Sequence, residues 1–125
     1  MNNTLNITDA EYYVMKTIWS RSPMNASEII ESLKDETDWN PKTIHTLISR
    51  LVSKKAVGVI KESPYRFYPL VLEGEYRREE TRSFLKKVYN GSIQHLVANF
   101  INDEAITKEE LEELKRLLDD KGREE

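Results

Sequence analysis

A mainly α fold with a small β-hairpin is predicted by three observations. Apolar residues recur at helical spacing along most of the 125-residue chain, and the pattern turns extended, β-branched and aromatic only between Val57 and Leu70. Basic residues gather on the helical segment just before that change and on the extended segment itself.

The first helix opens at Thr8-Asp9-Ala10-Glu11, a capping box in which the Thr and Glu side chains satisfy each other's free backbone N–H groups. Tyr12, Met15, Ile18 and Trp19 follow at helical spacing, and the helix ends between Ser20 and Pro23, because a residue before proline disfavours helical backbone. Asn25-Ala26-Ser27-Glu28 repeats the start signal for a short second helix, with Ile29, Ile30 and Leu33 as its apolar stripe. The polar stretch from Lys34 to Trp39 connects it to a third. That helix, Pro41 to Lys54, starts at Asn40-Pro41, since Asn caps well and Pro at the first helical position gives up a hydrogen bond that would be unmade anyway. Ile44, Leu47, Ile48 and Leu51 define its buried face.

After Lys55, Val57 to Glu62 and Tyr65 to Leu70 read as two strands about a Ser63-Pro64 turn, the one sheet element expected. Phe67 is expected in the core, while Tyr65 and Tyr68 are open between packing and exposure. From Leu72 to Asn90 the chain is helical again and stops at Gly91, which tolerates positive φ. Ile93, Leu96, Val97, Phe100 and Ile101 form another apolar stripe. Thr107-Lys108-Glu109-Glu110 is a third capping box, opening a last helix with Leu111, Leu114, Leu117 and Leu118 on one side.

Three short helices followed by a hairpin is the order of a winged helix-turn-helix, in which the third helix enters the DNA major groove and the hairpin reaches the backbone. The expected organisation is a winged-helix domain over 1–70 and a helical domain over 71–125. Absence of cysteine excludes disulfides, thiolate metal sites and a cysteine nucleophile. No segment approaches the ~20 apolar residues of a spanning helix, and the start lacks a signal-peptide pattern, so a soluble cytoplasmic protein without membrane insertion is expected.

The formal charge of −3 hides an uneven distribution. Residues 1–70 carry 9 Lys/Arg against 8 Asp/Glu, and residues 71–125 carry 10 against 14. Between Lys42 and Arg66, six cations (Lys42, Arg50, Lys54, Lys55, Lys61, Arg66) face only Glu62.

At about 100° per residue, Lys42, Thr46, Ser49 and Ser53 lie opposite the buried stripe of the third helix, flanked by His45 and Arg50. This face has no acidic residue, whereas an ordinary solvated helix mixes Glu with Lys. Small Thr and Ser side chains permit close approach to base edges, and Lys42 and Arg50 suit phosphates or guanine acceptors. Lys54 and Lys55, and Lys61 and Arg66 beside the turn, are placed to meet the phosphate backbone. The expected DNA contacts are Lys42, Thr43, His45, Thr46, Ser49, Arg50, Lys54, Lys61 and Arg66.

Several blocks resemble the penicillinase repressor (BlaI/MecI) family. They are Ala10-Glu11, Val14-Met15, Ile18-Trp19, Trp39-Asn40-Pro41-Lys42-Thr43-Ile44, Thr46-Leu47-Ile48 and Arg50-Leu51. The likeness continues through Phe84-Leu85, Lys87-Val88-Tyr89, Leu96-Val97-Ala98-Asn99-Phe100 and Glu110-Leu111-Glu112-Glu113-Leu114. The resemblance implies a homodimeric repressor on palindromic operators with TACA/TGTA elements, controlling genes for a β-lactamase or a resistant penicillin-binding protein. It implies dimerisation through the C-terminal helices, for which Leu85, Val88, Tyr89, Leu96, Val97, Phe100, Leu111, Leu114 and Leu118 are the candidates. It also implies a membrane-bound sensor metalloprotease system, triggered by β-lactam, that leads to cleavage at Asn99-Phe100. On spacing alone Phe100 is a core aromatic.

One position departs from the family. His45 stands where an arginine is common, and an imidazole cannot reproduce the bidentate fork of a guanidinium on guanine. The cysteine-rich metal motifs of copper-responsive relatives are absent, and His45 and His95 have no matching ligand cluster, so neither metal nor cofactor is expected. Nor are paired carboxylates or a nucleophile-base arrangement evident, so an enzyme is not expected. The competing readings are a same-fold repressor of an unrelated operon and a winged-helix module that binds protein.

Overall fold

The structure, a computed structural model, describes residues 6–103 and 105–124. Helix α1 (Asp9–Ser20) starts where the Thr8 hydroxyl accepts from the Glu11 N–H and the Glu11 carboxylate accepts from the Thr8 N–H. The same reciprocal capping, with Asn25 and Glu28, opens α2 (Ala26–Leu33). Helix α3 (Pro41–Ser53) begins with the Asn40 side chain accepting from the Thr43 N–H at 2.9 Å, with Pro41 in the first turn. Each such cap stabilises its helix by about 1 kcal/mol relative to alanine.

Strands β2 (Val57–Ile60) and β3 (Arg66–Pro69) form the expected antiparallel hairpin, with Val59 opposite Phe67. The hairpin is not the whole sheet. A two-residue strand, β1 (Met24–Asn25), pairs with the other edge of β3, Met24 opposite Phe67, to give the order β1-β3-β2. This pairing buries Met24 and ties the start of α2 to the wing. At Gly58 any Cβ would fall 2.4 Å from Cζ of Tyr68, so the ring of Tyr68 occupies the space that glycine leaves.

One core unites these elements. Val14, Met15 and Ile18 of α1, Ile29 and Leu33 of α2, and Ile44, Leu47, Ile48 and Leu51 of α3 are all buried, with Met24 and Val57 from the sheet. Phe67 packs against this core as expected, whereas Tyr65 is exposed. Trp39, read from sequence as part of a polar connection, packs on the core and meets Tyr13 edge-on at 5.4 Å.

Helix α4 (Glu73–Tyr89) is followed by α5 (Ile93–Asn102) and α6 (Lys108–Arg123). The chain divides into two compact units within α4, the first ending at Glu79 and the second beginning at Glu80. The first unit therefore reaches beyond Leu70. Its extension is explained by aromatic packing: Tyr76 stacks on Tyr12 at 5.7 Å and lies 5.6 Å from Trp19, whose indole N–H donates to the Val71 carbonyl at 2.8 Å. In the second unit, Asn90 and Gly91 both take positive φ, 56° and 86°, which stops α4. The Thr107–Glu110 capping box opens α6.

Candidate nucleic-acid interface

Burying Ile44, Leu47, Ile48 and Leu51 forces the rest of α3 outward. Lys42, Thr43, His45, Thr46, Ser49, Arg50 and Ser53 are all exposed. Lys42, His45, Thr46, Ser49, Arg50, Ser53 and Lys54 line one shallow, open groove. The lining combines the hydroxyls of Thr46, Ser49 and Ser53, the cations Lys42, Arg50 and Lys54 and the His45 imidazole, with no carboxylate. The Thr46 hydroxyl donates to the Lys42 carbonyl at 3.1 Å, so it meets any ligand with its methyl and its acceptor lone pair.

Among the described residues no acidic side chain lies within ion-pairing distance of Lys42, Arg50, Lys55 or Lys61, so their charge is available to an external anion. On the hairpin, Lys61 is exposed and Arg66 is half-buried, 3.7 Å from Glu62. That exposed pair holds Arg66 only weakly.

Lys54 differs from the other cations. Its ammonium donates to the Glu11 carboxylate and to the Asn6 carbonyl, and its side chain is 30% exposed while that of Glu11 is 1% exposed. Burial pushes the Glu11 carboxyl up. The Lys54 hydrogen bond, the Thr8 N–H and the charge of Lys54 outweigh that push, and the net effect holds the group below its ordinary value of 4.5. Glu11 therefore caps α1 and grips α3 at once. In the sequence Glu11 reads as a cap, although Val14, Met15 and Ile18 follow it at i+3, i+4 and i+7, which puts it on the buried stripe.

In the second unit, Leu85, Tyr89, Leu96, Val97, Leu111 and Leu114 are half-buried, and Val88, Phe100 and Leu118 are exposed. No residue of α4, α5 or α6 is fully buried within a single chain. Asn99 and Phe100 lie exposed on α5, with the Asn99 amide donating to the Tyr89 hydroxyl at 3.0 Å. Phe100 also borders a groove with Ile106, Leu114 and Leu117. No helix among the described residues is long and apolar enough to cross a membrane.

Three helices, a three-stranded wing and an acid-free exposed third helix define a winged-helix DNA-binding domain. The chain belongs to the penicillinase repressor family, whose profile matches residues 7–120. It is 38% identical over 121 residues to the methicillin resistance regulatory protein MecI of Staphylococcus aureus, covering 96% of this chain and 98% of that one. Identity to the penicillinase repressor of Bacillus licheniformis is 37%, over 96% of this chain and 94% of the relative. The solution structure of the DNA-binding domain of the repressor BlaI aligns with a TM-score of 0.54 at 39% identity, over 61% of this chain and 94% of that domain. Monomeric Bacillus licheniformis BlaI in complex with the blaP half-operator aligns with a TM-score of 0.53, also at 39% identity and with the same coverage.

Proposed function

We propose that this protein is a homodimeric transcriptional repressor that places α3 in the major groove of each half of a palindromic operator and controls β-lactam resistance genes. The observation that carries the reading is the exposed, acid-free face of α3. A helix whose outward side offers Lys42, Thr46, Ser49 and Arg50 with no carboxylate matches a polyanion bearing hydrogen-bonding base edges. Lys61 and Arg66 on the wing add phosphate contacts. The Bacillus licheniformis relative binds a half-operator as a monomer, which supports one winged domain per half-site.

The second unit supports dimerisation. Val88, Phe100 and Leu118 are about half exposed or more, and helices that leave such side chains to water are stabilised when a second copy covers them. Joining two weak readers raises apparent affinity through effective concentration. Cleavage at Asn99-Phe100, by a protease answering to a membrane-bound β-lactam sensor, would sever α6 and the end of α5 from the chain and release DNA. Both residues are accessible on α5, which supports this step.

The test is selection of bound duplexes from a random pool by the full chain, followed by titration of the enriched sequence. A two-fold symmetric site, bound with an affinity that falls steeply with salt and is weakened by Arg50→Ala and Thr46→Ala, is expected. Unchanged affinity in both variants would sink the assignment of α3. Binding without salt dependence would favour a protein-docking module instead.

A further inference from the structure

The contact between α3 and the body of its domain is apolar along Ile44, Leu47, Ile48 and Leu51. Apolar packing is non-directional, so within the play that interdigitated side chains leave it does not by itself fix the rotation of the helix. Rotation is what a reading helix cannot tolerate, because residues one position apart point 100° apart. At the C-terminal end of α3 the structure supplies a directional tie. Lys54, the capping residue of α3, is bonded to the buried Glu11 carboxylate on the first turn of α1 and to the Asn6 carbonyl just before it. Glu11 is in turn fixed by the Thr8 N–H at 3.0 Å. Lys54 borders the groove of the reading face, yet its charge already has two acceptors.

We propose that Lys54 is a positioning residue and not a phosphate contact: its ammonium, held by Glu11 and the Asn6 carbonyl, locks α3 on α1 in the rotation that presents Lys42, Thr46, Ser49 and Arg50 to DNA. The consequence for DNA rests on the repressor reading above. The latch itself does not.

The experiment uses the full chain with Lys54→Met, Glu11→Met, the double variant and, as a contrast, Lys42→Ala. Urea unfolding decides whether the latch exists. Lys54→Met strands the buried Glu11 carboxylate, so it is expected to lower the midpoint more in the wild-type chain than in the Glu11→Met background. Simple additivity of the two changes overturns the proposal. Should a single variant fail to fold, the double variant, which leaves no orphaned charge, still carries the DNA measurement.

Affinity is then measured, where every variant used is folded, for the selected duplex and for a random-sequence duplex of the same length, across a range of salt concentrations. Lys54→Met, or the double variant in its place, is expected to lose about tenfold or more on the selected duplex and little on the random one, with the slope of log affinity against log salt unchanged. Lys42→Ala should flatten that slope by about one unit. A flattening of about one unit on loss of Lys54, or an unchanged preference for the selected duplex, overturns the proposal. If the wild-type chain binds neither duplex, the repressor reading has failed, and the urea cycle alone decides whether Lys54 holds α3 to α1.

Discussion

His45 lies on the outward face of α3, lining the same groove as Thr46, Ser49 and Arg50. An imidazole makes one hydrogen bond to a base edge where a guanidinium makes two, so on the proposed reading His45 would discriminate between bases less than an arginine in its place. His45→Arg should therefore sharpen the consensus from random-pool selection toward guanine there, by about 1–3 kcal/mol of discrimination; an unchanged consensus would mean that His45 does not touch a base. At Glu11 the expected effect concerns stability. Its carboxyl is held below the ordinary value of 4.5 in the fold, so its stabilising contribution is complete above that pH and is lost as pH falls through the lower folded value. The difference in unfolding free energy between wild type and Glu11→Gln should shrink as pH drops from 7 to 3, and a constant difference would contradict the ionised pair. Of these two residues only the outward place of His45 is legible in the sequence, because it follows from a local period. The partnership of Glu11 with Lys54 spans 43 positions and is visible in sequence only as a carboxylate interrupting an apolar stripe.

The aromatic clamp at the start of α4 matters at the scale of elements. Trp19 donates to the Val71 carbonyl and Tyr76 packs on Tyr12 and Trp19, so a cut after Leu70 removes contacts that belong to the first unit. A fragment ending at Glu79 should melt several degrees above one ending at Leu70, since about 1 kcal/mol moves the midpoint of a domain this size by roughly 4–8 °C; equal melting temperatures would show that the clamp adds nothing. The caps of α1, α2, α3 and α6 were all readable because each is a bond between residues three apart. Strand β1 was not. Two residues carry no period, and Met24 and Asn25 become a strand only through pairing with Phe67 and Arg66, which lie more than forty positions away. The length of the first unit escaped for a similar reason: Tyr76 sits in a charged helical stretch whose local pattern does not signal that its ring meets α1.

For the whole molecule, the proposed pairing of two readers through the second unit would account for α4, α5 and α6 burying no residue fully in one chain. A chain ending at Asn99 reproduces the product of the proposed cleavage, losing Phe100 and every leucine of α6. It should sediment as a monomer at concentrations where the full chain is a dimer, and its affinity for a two-half-site duplex should fall toward that for a single half-site; retention of the dimer would remove cleavage as a release step. The chain belongs to the penicillinase repressor family, and on the proposed reading the bases it selects depend on the side chains of the α3 groove, His45 among them. The most direct test is titration of the full chain against the palindrome it selects from a random pool, at several salt concentrations, with Arg50→Ala alongside. The account predicts a symmetric site, affinity that falls steeply with salt, and a marked loss in the Arg50 variant. A pool that yields no enriched sequence, or binding indifferent to salt and to Arg50, would contradict it.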